Sequence, residues 1–245
     1  MGQHGKHGAL VTARLAAAAL ALLAGSAAGA VAQCRLALLI AMDVSASVDA
    51  REYVLQRDGL ARALDAPDIR DAILNDPSGH VALAVYEWSG RTQQTVMLDW
   101  TVIDGPARLD AVIAGILGAR RGWKDFPTAI GYALGYGAGM LAEAPDCDRR
   151  VIDISGDGTN NEGFLPASAY RHFPFQGVTV NGLVIEGQEA DVLRFYQTEV
   201  LRGPGAFLEV AQGFEEFEAA MARKLFREIN GLILGSREVE AWQPG

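Results

Sequence analysis

Residues 36–42 (LALLIAM) are continuously apolar, the pattern of a strand covered on both faces of a sheet. Residues 81–86 (VALAVY), 151–155 (VIDIS), 178–185 (VTVNGLVI) and the shorter 206–210 have the same character. Residues 94–99 alternate more and predict an edge strand. The loop that links them to 81–86 contains Ser89-Gly90 and is too short for a helical crossover, so these two strands are expected to run antiparallel. Helical patterns fill the intervals. Asp49 opens one, with Glu52 three residues on as its capping-box partner, and it continues through Tyr53, Leu55, Leu60 and Leu64. Residues 107–117 and 128–141 predict two more; the second is rich in Ala and Gly and is expected to pack closely on the sheet. Residues 191–201 are amphipathic, and 214–229 place Phe214, Phe217, Met221, Leu225 and Phe226 on one stripe. Strands alternating with helices give an α/β fold: a doubly wound, mainly parallel six-stranded sheet with one antiparallel edge strand and helices on both faces. There is no internal repeat and no low-complexity tract.

The N-terminus changes the compartment. Lys6 and Arg14 are the only formal charges before an apolar run at 15–24, and Ala30-Val31-Ala32 follows as an A-x-A cleavage site. That is the layout of a secretory signal peptide. The run is about half of the roughly 20 apolar residues that a spanning helix needs. Gln33 before Cys34 is unlike the small residues of a lipoprotein site. The reading is therefore a signal peptide at 1–32, one domain at 33–237 and a patternless tail at 238–245, in a secreted protein, periplasmic or extracellular.

Charge excludes some partners. The formal net charge is −9, and it becomes −11 without Lys6 and Arg14. Such a chain repels phosphate backbones and anionic surfaces, so nucleic acid is excluded as a partner class. No second long apolar segment suggests a membrane span, and nothing in the pattern signals an oligomeric state. Cys34 and Cys147 both survive processing, and an even pair in an oxidising compartment favours a disulfide. Only His80 and His172 remain as histidines, too few for a Cys/His zinc site.

Three short motifs fall where doubly wound sheets bind ligands, at strand C-termini and helix starts. They are Asp43-Val-Ser45-Ala-Ser47 after the first strand, Thr128 in the run Phe126-Pro-Thr-Ala-Ile, and Asp157-Gly158 after the strand 151–155. All five side chains offer oxygen, the donor that Mg²⁺ prefers.

These motifs resemble the metal-ion-dependent adhesion site (MIDAS) of von Willebrand factor A (vWA) domains. The likeness spans essentially the whole mature chain. Segments 86–90 (YEWSG), 154–158 (ISGDG) and 203–207 (GPGAF) look most like a secreted bacterial branch of that family. Ala46 departs from a frequent Gly, and Phe126-Pro127 replaces small residues. The resemblance implies that Asp43, Ser45, Ser47, Thr128 and Asp157 hold one divalent cation, Mg²⁺ or else Mn²⁺ or Ca²⁺. In the family the hydroxyls bind directly, the aspartates act largely through water, and the Thr joins mainly in the liganded state. It further implies a non-enzymatic module that captures a carboxylate presented by a protein partner. The resemblance also makes the strands at 36–42 and 151–155 parallel neighbours, about 4.8 Å apart. That would put Cys34 and Cys147 at one sheet edge, opposite the cation, within disulfide reach.

Other patterns have simpler explanations. Residues 153–164 mimic an EF-hand loop, but Phe164 stands where a bidentate Glu is required. Asp153 reads as a buried acceptor of backbone hydrogen bonds rather than a support for the metal loop. Asn160 and Asn161 read as turn residues. Glu87, Trp88 and Trp123 read as core or rim packing. A metal-assisted periplasmic hydrolase is one competing function, yet no His falls in the three loops to act as a base. A structural module with a vestigial metal site is the other.

Overall fold

The computed structural model of the chain describes Met1, residues 33–187 and residues 189–231. The rest of the expected signal peptide and the tail from 238 lie outside them. The described domain is a six-stranded sheet with helices on both faces, as the alternating pattern predicts. In chain order its elements are β1 (Cys34–Asp43), α1 (Ala50–Asp65), α2 (Pro67–Leu74), β2 (His80–Trp88), β3 (Gln94–Ile103) and α3 (Pro106–Gly118). There follow α4 (Ile130–Ala142), β4 (Cys147–Gly156), α5 (Pro166–His172), β5 (Val178–Ile185) and α6 (Val192–Phe195), which continues as a π-helical turn (Tyr196–Val200). The chain closes with β6 (Leu208–Ala211), a short 3₁₀ turn (Phe214–Glu216) and α7 (Phe217–Ile229). The spatial order is β3-β2-β1-β4-β5-β6. Among the described strands only the β2–β3 pairing is antiparallel.

Strand β1 explains why the centre is stable. Every one of its residues is buried. Leu36, Leu38, Ile40 and Met42 face one core with Leu60, Leu64, Phe217, Met221 and Leu225. Ala37, Leu39 and Ala41 face the other, with Ile130, Ala133, Leu134 and Ala138 of α4. The small residues let α4 come close: a Cβ on Gly137 would lie 2.9 Å from the Tyr86 hydroxyl. That hydroxyl donates to the Ala133 carbonyl at 2.8 Å.

Several expectations need correction. Thr128 does not open a helix: α4 starts at Ile130, with Ala129 as its N-cap and no side-chain cap, so Thr128 belongs to the preceding loop. Helix 191–201 is one α turn followed by the π turn. Phe226 is 39% exposed and leaves the buried stripe formed by Phe214, Phe217, Met221 and Leu225. Helices α2 and α5 had no counterpart in the sequence reading, being only 8 and 7 residues long. The capping box stands as read: Asp49 accepts from the amides of Arg51 and Glu52, and Glu52 accepts from the Asp49 amide.

Asp153 is the largest revision. It neither supports the metal loop nor accepts from backbone. Its Oδ1 faces Lys224 Nζ at 3.0 Å as an ion pair, with both side chains fully buried. Lys224 Nζ also donates to Glu228 Oε1 at 2.6 Å, and Asn181 Nδ2 donates to the same oxygen at 2.9 Å. Burial, reinforced by Glu228, holds the Asp153 carboxyl well above the usual carboxylate range. One ammonium thus serves two carboxylates between the sheet and α7.

The Cys34–Cys147 disulfide is present, with the two residues as register partners and Cα atoms 4.5 Å apart. It joins the start of β1 to the start of β4. Its sequence separation of 113 sets the magnitude in the chain-entropy model, about 4–5 kcal/mol. Labelling the unreduced, denatured protein should reveal no free thiol, and Cys147→Ser should lower the urea midpoint accordingly; an unchanged midpoint would deny the bridge this role. Lys224→Met should destabilise by about 3–5 kcal/mol, because it strands two buried carboxylates. Urea denaturation measures this, and a loss under 1 kcal/mol would mean that the lysine does not neutralise them.

Candidate functional site

The chain leaves β1 and β4 in opposite directions across the sheet, because β2 and β3 lie to one side of this pair and β5 and β6 to the other. That divergence is a topological switch point, and it opens a crevice at the C-terminal ends of both strands. Asp43 ends β1, and Asp157 directly follows β4. The segment 44–49 is pinned above them by the α1 capping box on one side and by Arg121 on the other. Arg121 Nη2 donates to the carbonyls of Val44 and Ser45 at 2.9 and 3.1 Å.

Four of the five predicted site residues, Asp43, Ser45, Ser47 and Asp157, are joined by direct contacts here, and Thr128 lies beside Gly158. Asp43 is fully buried, and its Oδ1 accepts from the Ser45 amide at 2.7 Å. The hydroxyls of Ser45 and Ser47 are 3.1 Å apart. Ser47 Oγ donates to Asp157 Oδ1 at 2.7 Å. Thr128 is 4% exposed, and its Oγ1 lies 3.8 Å from the place a Cβ on Gly158 would take. The first two loops are tied by the Ala46 amide, which donates to the Phe126 carbonyl at 2.8 Å. Asp125, just upstream, has φ +63°, a left-handed conformation that costs a non-glycine residue about 1 kcal/mol or more and concentrates at functional loops.

The electrostatics are those of a cluster short of positive charge. Burial, then the neighbouring Asp157, pushes the Asp43 carboxyl up to about 8 despite the Ser45 bonds and Arg121. Asp157 is also raised, by burial first and also by Glu189, against the hydrogen bond from Ser47. Asp43 Oδ2 is buried without a hydrogen-bond partner. Among the described residues no three His, Cys, Asp or Glu side chains gather where they could hold a metal ion. A cation here would therefore depend on hydroxyl oxygens, and an all-oxygen set of three hydroxyls and two carboxylates fits a hard divalent ion.

Residues set aside in the sequence turn out to support the loops. The Thr128 amide donates to Asn161 Oδ1 at 2.9 Å, and the Gly131 amide donates to Asn160 Oδ1 at 3.0 Å. These asparagines clamp the Thr128 loop onto the loop after β4, so they do more than form a turn. Their position straight after Asp157-Gly158 was the available signal. Glu87 accepts from Tyr53 Oη and the Gly122 amide, each at 2.7 Å, and so braces the segment that carries Arg121. Trp88 is fully buried, and Trp123 Nε1 donates to Thr95 Oγ1 at 2.8 Å, so both pack rather than present a surface. Glu189, absent from the sequence reading, accepts from the Thr159 amide at 2.8 Å and from its hydroxyl. It borders a cavity of about 390 Å³ beside the crevice, lined also by Leu165, Arg194, Phe195 and Glu199.

Comparison with solved structures shows that the fold is vWA-like. Proximal thread matrix protein 1 of the mussel byssus superposes with a TM-score of 0.60 at 15% identity, over 79% of this chain and 47% of that one. The same protein is also known with a zinc-occupied MIDAS motif (TM-score 0.58, 16% identity, 80% and 46% covered). A von Willebrand factor type A protein from Catenulispora acidiphila gives 0.60 at 15% identity, over 80% and 43%. The pilus adhesin SpaC of Lactobacillus rhamnosus GG gives 0.55 at 13%, over 81% and 32%. The chain spans about half the length, or less, of these neighbours. A search of curated proteins finds no match. A family model covers residues 33–233, and the chain therefore belongs to the family described as protein of unknown function DUF1194.

Proposed function

We propose that this domain is a secreted, metal-dependent protein-binding module, and that its crevice holds one divalent cation, Mg²⁺ by preference. The carrying observation is the contact of the Ser45 and Ser47 hydroxyls between two aspartates whose carboxyls are both pushed upward, with Thr128 beside Gly158 at the same sheet edge. Ser45 and Ser47 would turn their oxygens from each other and from Asp157 to the ion. Asp43 and Asp157 would supply negative charge at the ion, with Glu189 close behind Asp157. When bound, the cation adds a positive centre that a carboxylate of a partner can reach. Because the three hydroxyls are neutral, they leave that charge largely available to an incoming anion. Asn161 holds the Thr128 amide and Asn160 the Gly131 amide, which fixes the Thr128 loop next to Gly158. The disulfide supports an oxidising compartment. The zinc-occupied MIDAS of the byssus protein and the adhesin among the neighbours support the reading through the shared fold alone.

No observation favours hydrolysis. Of the two described histidines, His80 starts β2, at the opposite end of that strand from the crevice, and His172 ends α5 with its Nδ1 2.8 Å from the Ser168 carbonyl oxygen. Neither stands near the Ser45 or Ser47 hydroxyl to activate it.

Titration calorimetry should show one Mg²⁺ bound by the wild type and binding lost, by 100-fold or more, in Asp157→Ala with the fold intact by circular dichroism. A pull-down from the native envelope fraction should retain partners in Mg²⁺ and release them in chelator; equal retention would refute the metal contact. Thr128→Ala should weaken partner retention more than it weakens Mg²⁺ binding. Equal losses of both would make Thr128 an ordinary resting ligand.

A further inference from the structure

Beneath the crevice, three polar atoms are buried without a hydrogen-bond partner: Asp43 Oδ2, Tyr196 Oη and Trp88 Nε1. Buried polar atoms are nearly always paired, and each orphan costs about 1–3 kcal/mol. These three are neighbours. Asp43 and Trp88 are register partners in adjacent strands. Gly156 comes next to the Met42–Ser155 pair, and so lies on the other side of Asp43. A Cβ on Gly156 would lie 2.5 Å from Tyr196 Oη, 2.9 Å from Asp43 Oδ2 and 3.4 Å from Trp88 Cζ2. The missing side chain thus leaves the space that the tyrosine tip and the aspartate both border. The chemistry is complementary, since one carboxylate oxygen can only accept when ionised and the phenol and indole can both donate.

Tyr196 is held there by an irregular element. It opens the π turn, in which the Leu201 amide donates to the Tyr196 carbonyl at 3.0 Å. Such turns are rare and cluster at functional sites. Tyr170 Oη donates to the Val200 carbonyl and anchors the far end of the turn.

We propose that Tyr196 and Trp88 are positioning residues of the cation site, which donate to the inner oxygen of Asp43 once the ion is bound, while the Ser45 amide holds the outer one. This rests on the cation site proposed above. With the ion bound and Asp43 ionised, the two donors hold the carboxylate from below and keep it turned to the ion. Tyr196 acts through Asp43 and touches neither ion nor partner. Its backbone belongs to the same helical segment as Phe195 and Glu199, which line the neighbouring cavity, so the segment that steadies the aspartate also shapes the rim.

The test uses the mature chain with Mg²⁺ alone, comparing wild type, Tyr196→Phe and Trp88→Phe by calorimetry and by melting in chelator. Tyr196→Phe keeps the ring and removes only an unpaired hydroxyl, so its melting point in chelator should stay within a few degrees of wild type. Its Mg²⁺ affinity should fall about 10- to 100-fold, the range for partners that orient metal ligands. Adding Mg²⁺ should change tryptophan emission in the wild type, and that change should disappear in Trp88→Phe. Wild-type affinity in Tyr196→Phe would overturn the proposal while leaving the cation site standing. A wild type that binds no Mg²⁺ would overturn both.

Discussion

The parallel pairing of β1 with β4 is the constraint on which the rest of the molecule depends. Its register places Cys34 opposite Cys147 at one end and Met42 opposite Ser155 at the other. The disulfide therefore locks the same ladder that sets Asp43 and Asp157 side by side. A slip of one residue would exchange the faces of β1, setting Leu36, Leu38, Ile40 and Met42 against the close-packed α4 and the alanines against the wider core. The covalent end and the chemical end of the sheet are fixed together.

From that pair outward, each layer follows from packing. Strand β1 is buried on both faces, and from Leu36 it carries only apolar residues until it ends at Asp43. The sheet then runs out, and the loops that follow carry the hydroxyls. Burying two carboxylates in one crevice is costly, and the raised Asp43 and Asp157 carboxyls record that cost. Arg121 offsets only part of it. The molecule treats its other buried acids differently: Asp153 and Glu228 receive a dedicated ammonium from Lys224. A crevice without a matching cationic side chain suits an external ion, which is the reading proposed here.

The legible part of this architecture was the part written locally. Apolar runs marked the strands, and Asp49 with Glu52 marked the start of α1. Asp43, Ser45 and Ser47 share one loop, and Asp157 follows its strand directly, so sequence position alone put them at the right edge. What escaped depends on contacts between distant segments. Asp153 looked like a backbone acceptor because its partner Lys224 lies far along the chain on α7. Asn160 and Asn161 looked like turn residues because the amides they accept from belong to the first turn of α4 and to the loop before it. Tyr196 drew no attention, since a π turn has no periodic signature and its hydroxyl matters only through the space left by Gly156. Phe226 was misplaced for a different reason: a stripe wide enough to hold it exceeds the face that the sheet actually covers.

The central claim is that the three hydroxyls share one divalent ion. Anomalous scattering from crystals of the mature chain soaked in Mn²⁺ tests it most directly. The account predicts a single Mn²⁺ peak among the side-chain oxygens of Ser45, Ser47 and Thr128, close to Asp43 and Asp157. No peak in that crevice, or a peak only at other carboxylates of the surface, would contradict it.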